Sequence, residues 1–147
     1  MEEIYENILI AGSDRFIKKT KRALDFIKNT KSKTNYLEFV QNHIGQIIES
    51  QTSGINVYRN PTVFGVGRKT WSAKLSWYAS CIVHDAHHTF LYYSKRPHSG
   101  KEAEEACLEF QILFLKDNND PDKYIAYLRH LIDDHVDYYS PSVKRTW

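Results

Sequence analysis

The chain has 147 residues, the size of one domain with a single sizeable core, and at 41% hydrophobic and 26% charged it has an ordinary globular composition. A formal charge of +2 is too small to argue for a nucleic-acid surface, and no apolar stretch reaches membrane-spanning length. The opening "MEEIYE" carries acid where a signal peptide needs positive charge, so the expectation is a cytoplasmic protein that engages neither nucleic acid nor membrane, with its oligomeric state open.

In chain order, "NILIAG" (7–12) is a short apolar run closed by glycine, a predicted strand. Ser13 then caps a helix over 14–30, with Phe16, Ile17, Thr20, Ala23, Leu24 and Ile27 at helical spacing. The basic run "KKTKR" (18–22) reads as the solvated face of that helix. Tyr36, Phe39, Val40, Ile44, Ile47 and Ile48 predict a second helix over 35–51. The stretch 54–67, "GINVYRNPTVFGVG", is β-branched, aromatic and glycine-bounded, and fits two short strands around an Asn60-Pro61 turn. A helical pattern returns over 71–94, breaks at "KRPHSG" (95–100) and resumes over 101–117. Asp120 and Pro121 start a last helix that runs to about residue 139. Residues 1–147 therefore read as one α+β domain, mostly helical, with a small sheet beside a helix rich in histidine.

That helix holds "CIVHDAHH" (81–88). His84 and His88 are four residues apart, which on a helix puts both imidazoles on one face, one turn from each other. With His84 at zero, His88 falls at about 40°, Trp77 at about 20° and Cys81 at about 60°, so the pair lies on the apolar side. His87, at about 300°, sits at its border. Two neutral imidazoles in an apolar stripe both need partners, and a shared cation supplies one to each.

"HDAHH" resembles the HExxH motif of zincin metallopeptidases, with Asp85 in the glutamate position, and "SWYASCIV" resembles the apolar first half of their active-site helix. The resemblance implies a zincin-like domain that hydrolyses a peptide or protein with a bound Zn2+. It implies His84 and His88 as ligands and Asp85 as the general base that activates water. Aspartate is one methylene shorter than glutamate, which shortens its reach.

A catalytic zinc takes three protein ligands and keeps an open position, and the gluzincin subgroup draws the third from a glutamate on a following helix. With Cys107 at zero, Glu104 falls at about 60° and Gln111 at about 40°, within the apolar face of helix 101–117, whereas Glu105 lies at its edge at about 160°. Helical phase favours Glu104 as the third ligand. The Glu-Ala pair found at this point in gluzincin-like sequences favours Glu105. The resemblance also implies a substrate-holding edge strand just before the motif helix, where "TVFGVG" (62–67) stands. Tyr78, Tyr93 and His135 are candidates to stabilise an oxyanion.

Two other readings use the same residues. The doublet His84-Asp85 resembles the metal site of HD-domain phosphohydrolases, with His43 upstream and Asp133 or Asp134 downstream, although that fold is almost wholly helical. Cys81 and Cys107 lie in apolar helical patterns as expected of free buried thiols. Together with His84 and His88 they also form a possible structural zinc site, closed to water and without catalysis.

Overall fold

A computed structural model of the protein describes residues 1–120 and 122–133. Glu2–Tyr5 (β1) and Ile8–Ala11 (β2) form an antiparallel hairpin. Its two turn residues, Glu6 and Asn7, both have positive φ (50° and 63°), the backbone twist that joins strands through two residues. Ile8 and Ile10 point into the core, as alternation along a strand requires.

Asp14–Lys28 (α1) follows, with the Ser13 side chain accepting from the Phe16 N–H at 3.3 Å, and it buries all six of the residues whose spacing predicted it. The next helix is shorter than predicted. Tyr36–His43 (α2) ends where Ile44 turns extended, and Gln46–Glu49 (β3) enters the sheet instead of continuing the helix to residue 51. Gly45 sits against Pro61, where an added Cβ would come 2.2 Å from the proline Cβ, and the Gly45 and Gln46 N–H groups both donate to the Thr62 carbonyl. Ile44, Ile47 and Ile48 match a helical stripe, but β-branched residues next to a glycine in a tight approach also suit a central strand, and tertiary pairing decides it.

Gly54–Asn56 (β4) and Val63–Val66 (β5) are the two short strands predicted for 54–67, separated by a segment with a cis Asn60–Pro61 bond. The sheet order is β1-β2-β3-β5-β4, with β2, β3 and β5 parallel and the outer strands antiparallel to their neighbours. Among the described residues β4 is therefore an end strand, whereas β5, in the stretch expected to supply the substrate-holding edge, is paired on both sides. That expectation is corrected: the available edge belongs to β4.

After a short turn, Arg68–Trp71 (α3), comes Leu75–Tyr93 (α4), which carries the histidines. It is buried nearly all round, as a central helix should be. Tyr78, Ala79, Ile82, Val83 and Ala86 belong to the core shared with the sheet, α1 and α2. Trp77 and Cys81 belong to a second core with Leu108, Ile112 and Leu115 of Lys101–Asp117 (α5) and with Leu128 and Leu131 of Asp122–Asp133 (α6). The structure is thus a single α+β domain, mostly helical with a five-stranded mixed sheet. No helix among the described residues is long and apolar enough to cross a membrane.

Candidate metal centre

His84 and His88 lie in the seam between α4 and α5, both on the side of α4 that meets α5, as their spacing requires. Glu104 meets them from α5: His84 Nε2 is 2.8 Å from Oε1 and His88 Nε2 is 3.1 Å from Oε2. The two carboxylate oxygens are thus divided between the two rings. Glu104 is only 9% exposed, while Glu105 on the adjacent face is half-buried and in no ion pair among the described residues. Of the two candidate glutamates, the fold brings Glu104 to the histidine pair and leaves Glu105 aside.

The other nitrogen of each ring fixes its tautomer. The Ser80 hydroxyl donates to the Trp77 carbonyl at 2.7 Å, so its oxygen can only accept from the Gln111 side chain, 2.9 Å away. The group facing Ser80 is then the Gln111 amide NH2, and Gln111 Oε1 faces His84 Nδ1 at 2.9 Å. Oε1 accepts, so Nδ1 carries the proton. His88 Nδ1 lies 2.8 Å from the His98 carbonyl, which also only accepts. Both rings therefore present Nε2 to the carboxylate.

A proton on each Nε2, or one cation shared between the nitrogens and the carboxylate, would satisfy this arrangement. The ring centroids are 5.2 Å apart. Two imidazolium ions at that spacing repel by about 3 kcal/mol at an effective dielectric constant of about 20. A single divalent ion would place positive charge between both nitrogens and the carboxylate with the rings neutral. The donor set fits such an ion, and it includes a sulfur: His84, His88 and Cys107 hold ligand atoms all within 4.8 Å of one another.

The electrostatics of the cluster follow from this crowding. Burial pushes the Glu104 carboxyl up, but the charge and hydrogen bonds of His84 and His88 outweigh it and hold it well below the usual carboxylate range. Burial pushes His88 down, yet contacts with the Cys107 thiol and Glu104 leave it raised. Burial pushes the Cys107 thiol up.

Asp85 is fully buried on α4, and its charge is felt at Cys107. It is absent from the walls of the open cleft that reaches the site, a space of about 350 Å3 with His88 and Glu104 at its floor. The cleft is walled by Ile55, Val57, Tyr58 and His98, the last two joined by a hydrogen bond of 3.0 Å between the Tyr58 hydroxyl and His98 Nε2. Tyr58 and His98 are the polar groups of the rim that sequence reasoning did not single out. His98 lay in the loop after the motif helix, but its role depends on a β4–β5 segment that no local pattern brings near.

The other sequence candidates lie elsewhere. The Tyr78 hydroxyl is buried against Thr20 Oγ1 at 2.7 Å, between α4 and α1. The Tyr93 hydroxyl meets Thr62 Oγ1 at 3.1 Å. His43 packs on Phe39, Phe90 and Tyr93, with Nδ1 on the Phe39 carbonyl, and does not join the pair. His87 is stacked among Phe39, Phe90 and Phe110. Cys81 lies in the second core with its sulfur 4.0 Å from Gln111 Nε2, outside the group of ligand atoms that includes Cys107. Asp134, His135 and the Asp133 side chain lie outside the described residues. No protein-family model matches the chain, and neither does any curated protein or solved structure.

Proposed function

We propose that the protein is a zincin-like zinc-dependent hydrolase, most simply a peptidase, with its metal held by His84, His88 and Glu104. The observation that carries this reading is the locked pair of tautomers. Both imidazoles are fixed through Nδ1, and both Nε2 atoms converge on one buried carboxylate within 3.1 Å. A bound Zn2+ supplies Lewis acidity and lowers the pKa of a water molecule. The chain's own residues do the rest. Gln111 and the His98 carbonyl would orient the two rings and Glu104 would provide the negative charge, while Asp85, to which the motif gives the role of base, would have to reach the cleft from its buried position to take a proton there.

Substrate access supports the same reading. The cleft runs from His88 and Glu104 to Ile55 of β4, the antiparallel end strand, so an extended peptide could pair along β4 and pass over the site. Tyr58 and His98 stand at the rim, where a hydroxyl and an imidazole could donate to a developing oxyanion.

The phosphohydrolase reading is disfavoured by the five-stranded sheet and by the position of His43, away from the histidine pair. The reading as a non-catalytic metal site is favoured by one observation, the complete burial of Asp85 away from the cleft wall.

Elemental analysis of protein supplied with zinc, in wild type and in His88→Ala, Glu104→Gln and Glu105→Gln, tests the metal site. The expected result is one zinc per chain in wild type and Glu105→Gln, and loss in the other two. Wild type that binds none would end the proposal. For catalysis, Asp85→Glu should keep or raise hydrolysis of an unstructured protein. Loss of activity with retained metal would assign the aspartate another task.

A further inference from the structure

Cys107 lies on α5 one turn after Glu104, on the same face, and is fully buried. Its sulfur stands within 4.8 Å of a ring nitrogen of both His84 and His88. Glu104 and His88 line the cleft, but Cys107 does not, so the thiol approaches the cluster from its inner side.

Two donors on one tetrahedral zinc stand about 3.3–3.6 Å apart, given bond lengths of about 2.0–2.3 Å. The His–Glu separations of 2.8 and 3.1 Å are somewhat shorter than that, and the upper bound of 4.8 Å to the sulfur is longer. His84, His88 and Cys107 hold their ligand atoms within 4.8 Å of one another, and Glu104 adjoins the set through its contacts with the two rings. Cys81, the other thiol of the motif region, is separated from the cluster by Gln111, whose amide takes up the intervening position.

We propose that Cys107 is a fourth protein donor, so that the resting metal site is a closed set of two histidines, one glutamate and one cysteine. This rests on the metal site proposed above. Loading breaks the Cys107 S–H bond, the proton leaves to solvent, and a sulfur–metal bond forms with no change of oxidation state. A thiolate beside two imidazoles selects zinc or cobalt over magnesium, calcium or manganese. Four protein donors also leave no open position, so hydrolytic competence requires release of the thiolate.

Titration of the full chain with Co2+ tests this without an activity assay. The expected spectrum combines the visible bands of tetrahedral cobalt with a near-ultraviolet sulfur-to-cobalt charge-transfer band. That band should persist in Cys81→Ser and vanish in Cys107→Ser and Cys107→Ala, which keep the visible bands. Cobalt bound by wild type without the charge-transfer band, or a band that survives both Cys107 variants, would overturn the thiolate while leaving the histidine–glutamate site intact. The spectra of wild type and Cys81→Ser together decide the matter even if a buried Cys107 variant does not fold. No cobalt binding at all would remove both the site and its fourth donor.

Discussion

Replacing Gln111 by leucine removes the acceptor that meets His84 Nδ1 and fixes its tautomer. Gln111 and His84 are both fully buried, with Gln111 Oε1 2.9 Å from the His84 Nδ1–H. In Gln111→Leu that N–H loses its acceptor, a cost of about 1–3 kcal/mol for a buried donor left unmade. At about 2–4 °C per kcal/mol for a chain of this size, the apo protein should melt roughly 2–12 °C lower. The ring is then free to tautomerise or turn, and loss of such an outer partner weakens metal binding about 10–100-fold, or about 1.4–2.7 kcal/mol. Gln111→Glu keeps an acceptor toward Nδ1 and should hold affinity near or above that of wild type. Competition against a chromophoric chelator measures the affinities, and calorimetry of the metal-free proteins measures the melting. A Gln111→Leu protein that binds zinc within about threefold of wild type would refute the tautomer argument, and with it the main support for the metal site.

Three further outcomes are expected. Zinc at about 100 times its dissociation constant should stabilise the fold by about 2.7 kcal/mol, raising Tm by roughly 5–11 °C, and the rise should disappear in Glu104→Gln. Burial lowers the His43 pKa below the ordinary histidine value despite its bond to the Phe39 carbonyl. The unfolded chain therefore takes up that proton first as pH falls, so stability is present above about pH 6.5 and lost below it. His43→Leu should accordingly show a shallower fall of Tm between about pH 7 and pH 5, whatever its Tm at neutrality, and an unchanged slope would rule this out. Thr20→Val leaves the Tyr78 hydroxyl buried without its 2.7 Å partner and should cost about 1–3 kcal/mol in denaturant unfolding while leaving zinc content unchanged.

Period-3.6 and period-2 patterns announced α1, α5, β2 and the strand pair at 54–67, because in each the apolar spacing and a cap or breaker agreed. The same rule overextended α2, since Ile44, Ile47 and Ile48 satisfy both a helical stripe and a strand, and the fit of Gly45 against Pro61 settles which forms. The β1 strand was missed because Glu6-Asn7 is not the usual glycine-bearing hairpin turn, although both residues adopt the required positive φ.

At the site, sequence alone put His84 and His88 on one face, and helical phase favoured Glu104 on the next helix while the Glu-Ala resemblance favoured Glu105. The shared face and the phase both follow from helix geometry, which needs no knowledge of the partner. Only the tertiary structure decided the rest. The packing of α5 on α4 brings Gln111, Glu104 and Cys107 to the rings in one order and sets Cys81 behind Gln111. The fold of β4 and the segment after it makes Tyr58 and His98 the walls of the cleft. The physical reason is one of range: a helix carries its own angular clock in the sequence, but the distance between two helices is set by all the side chains packed between and around them.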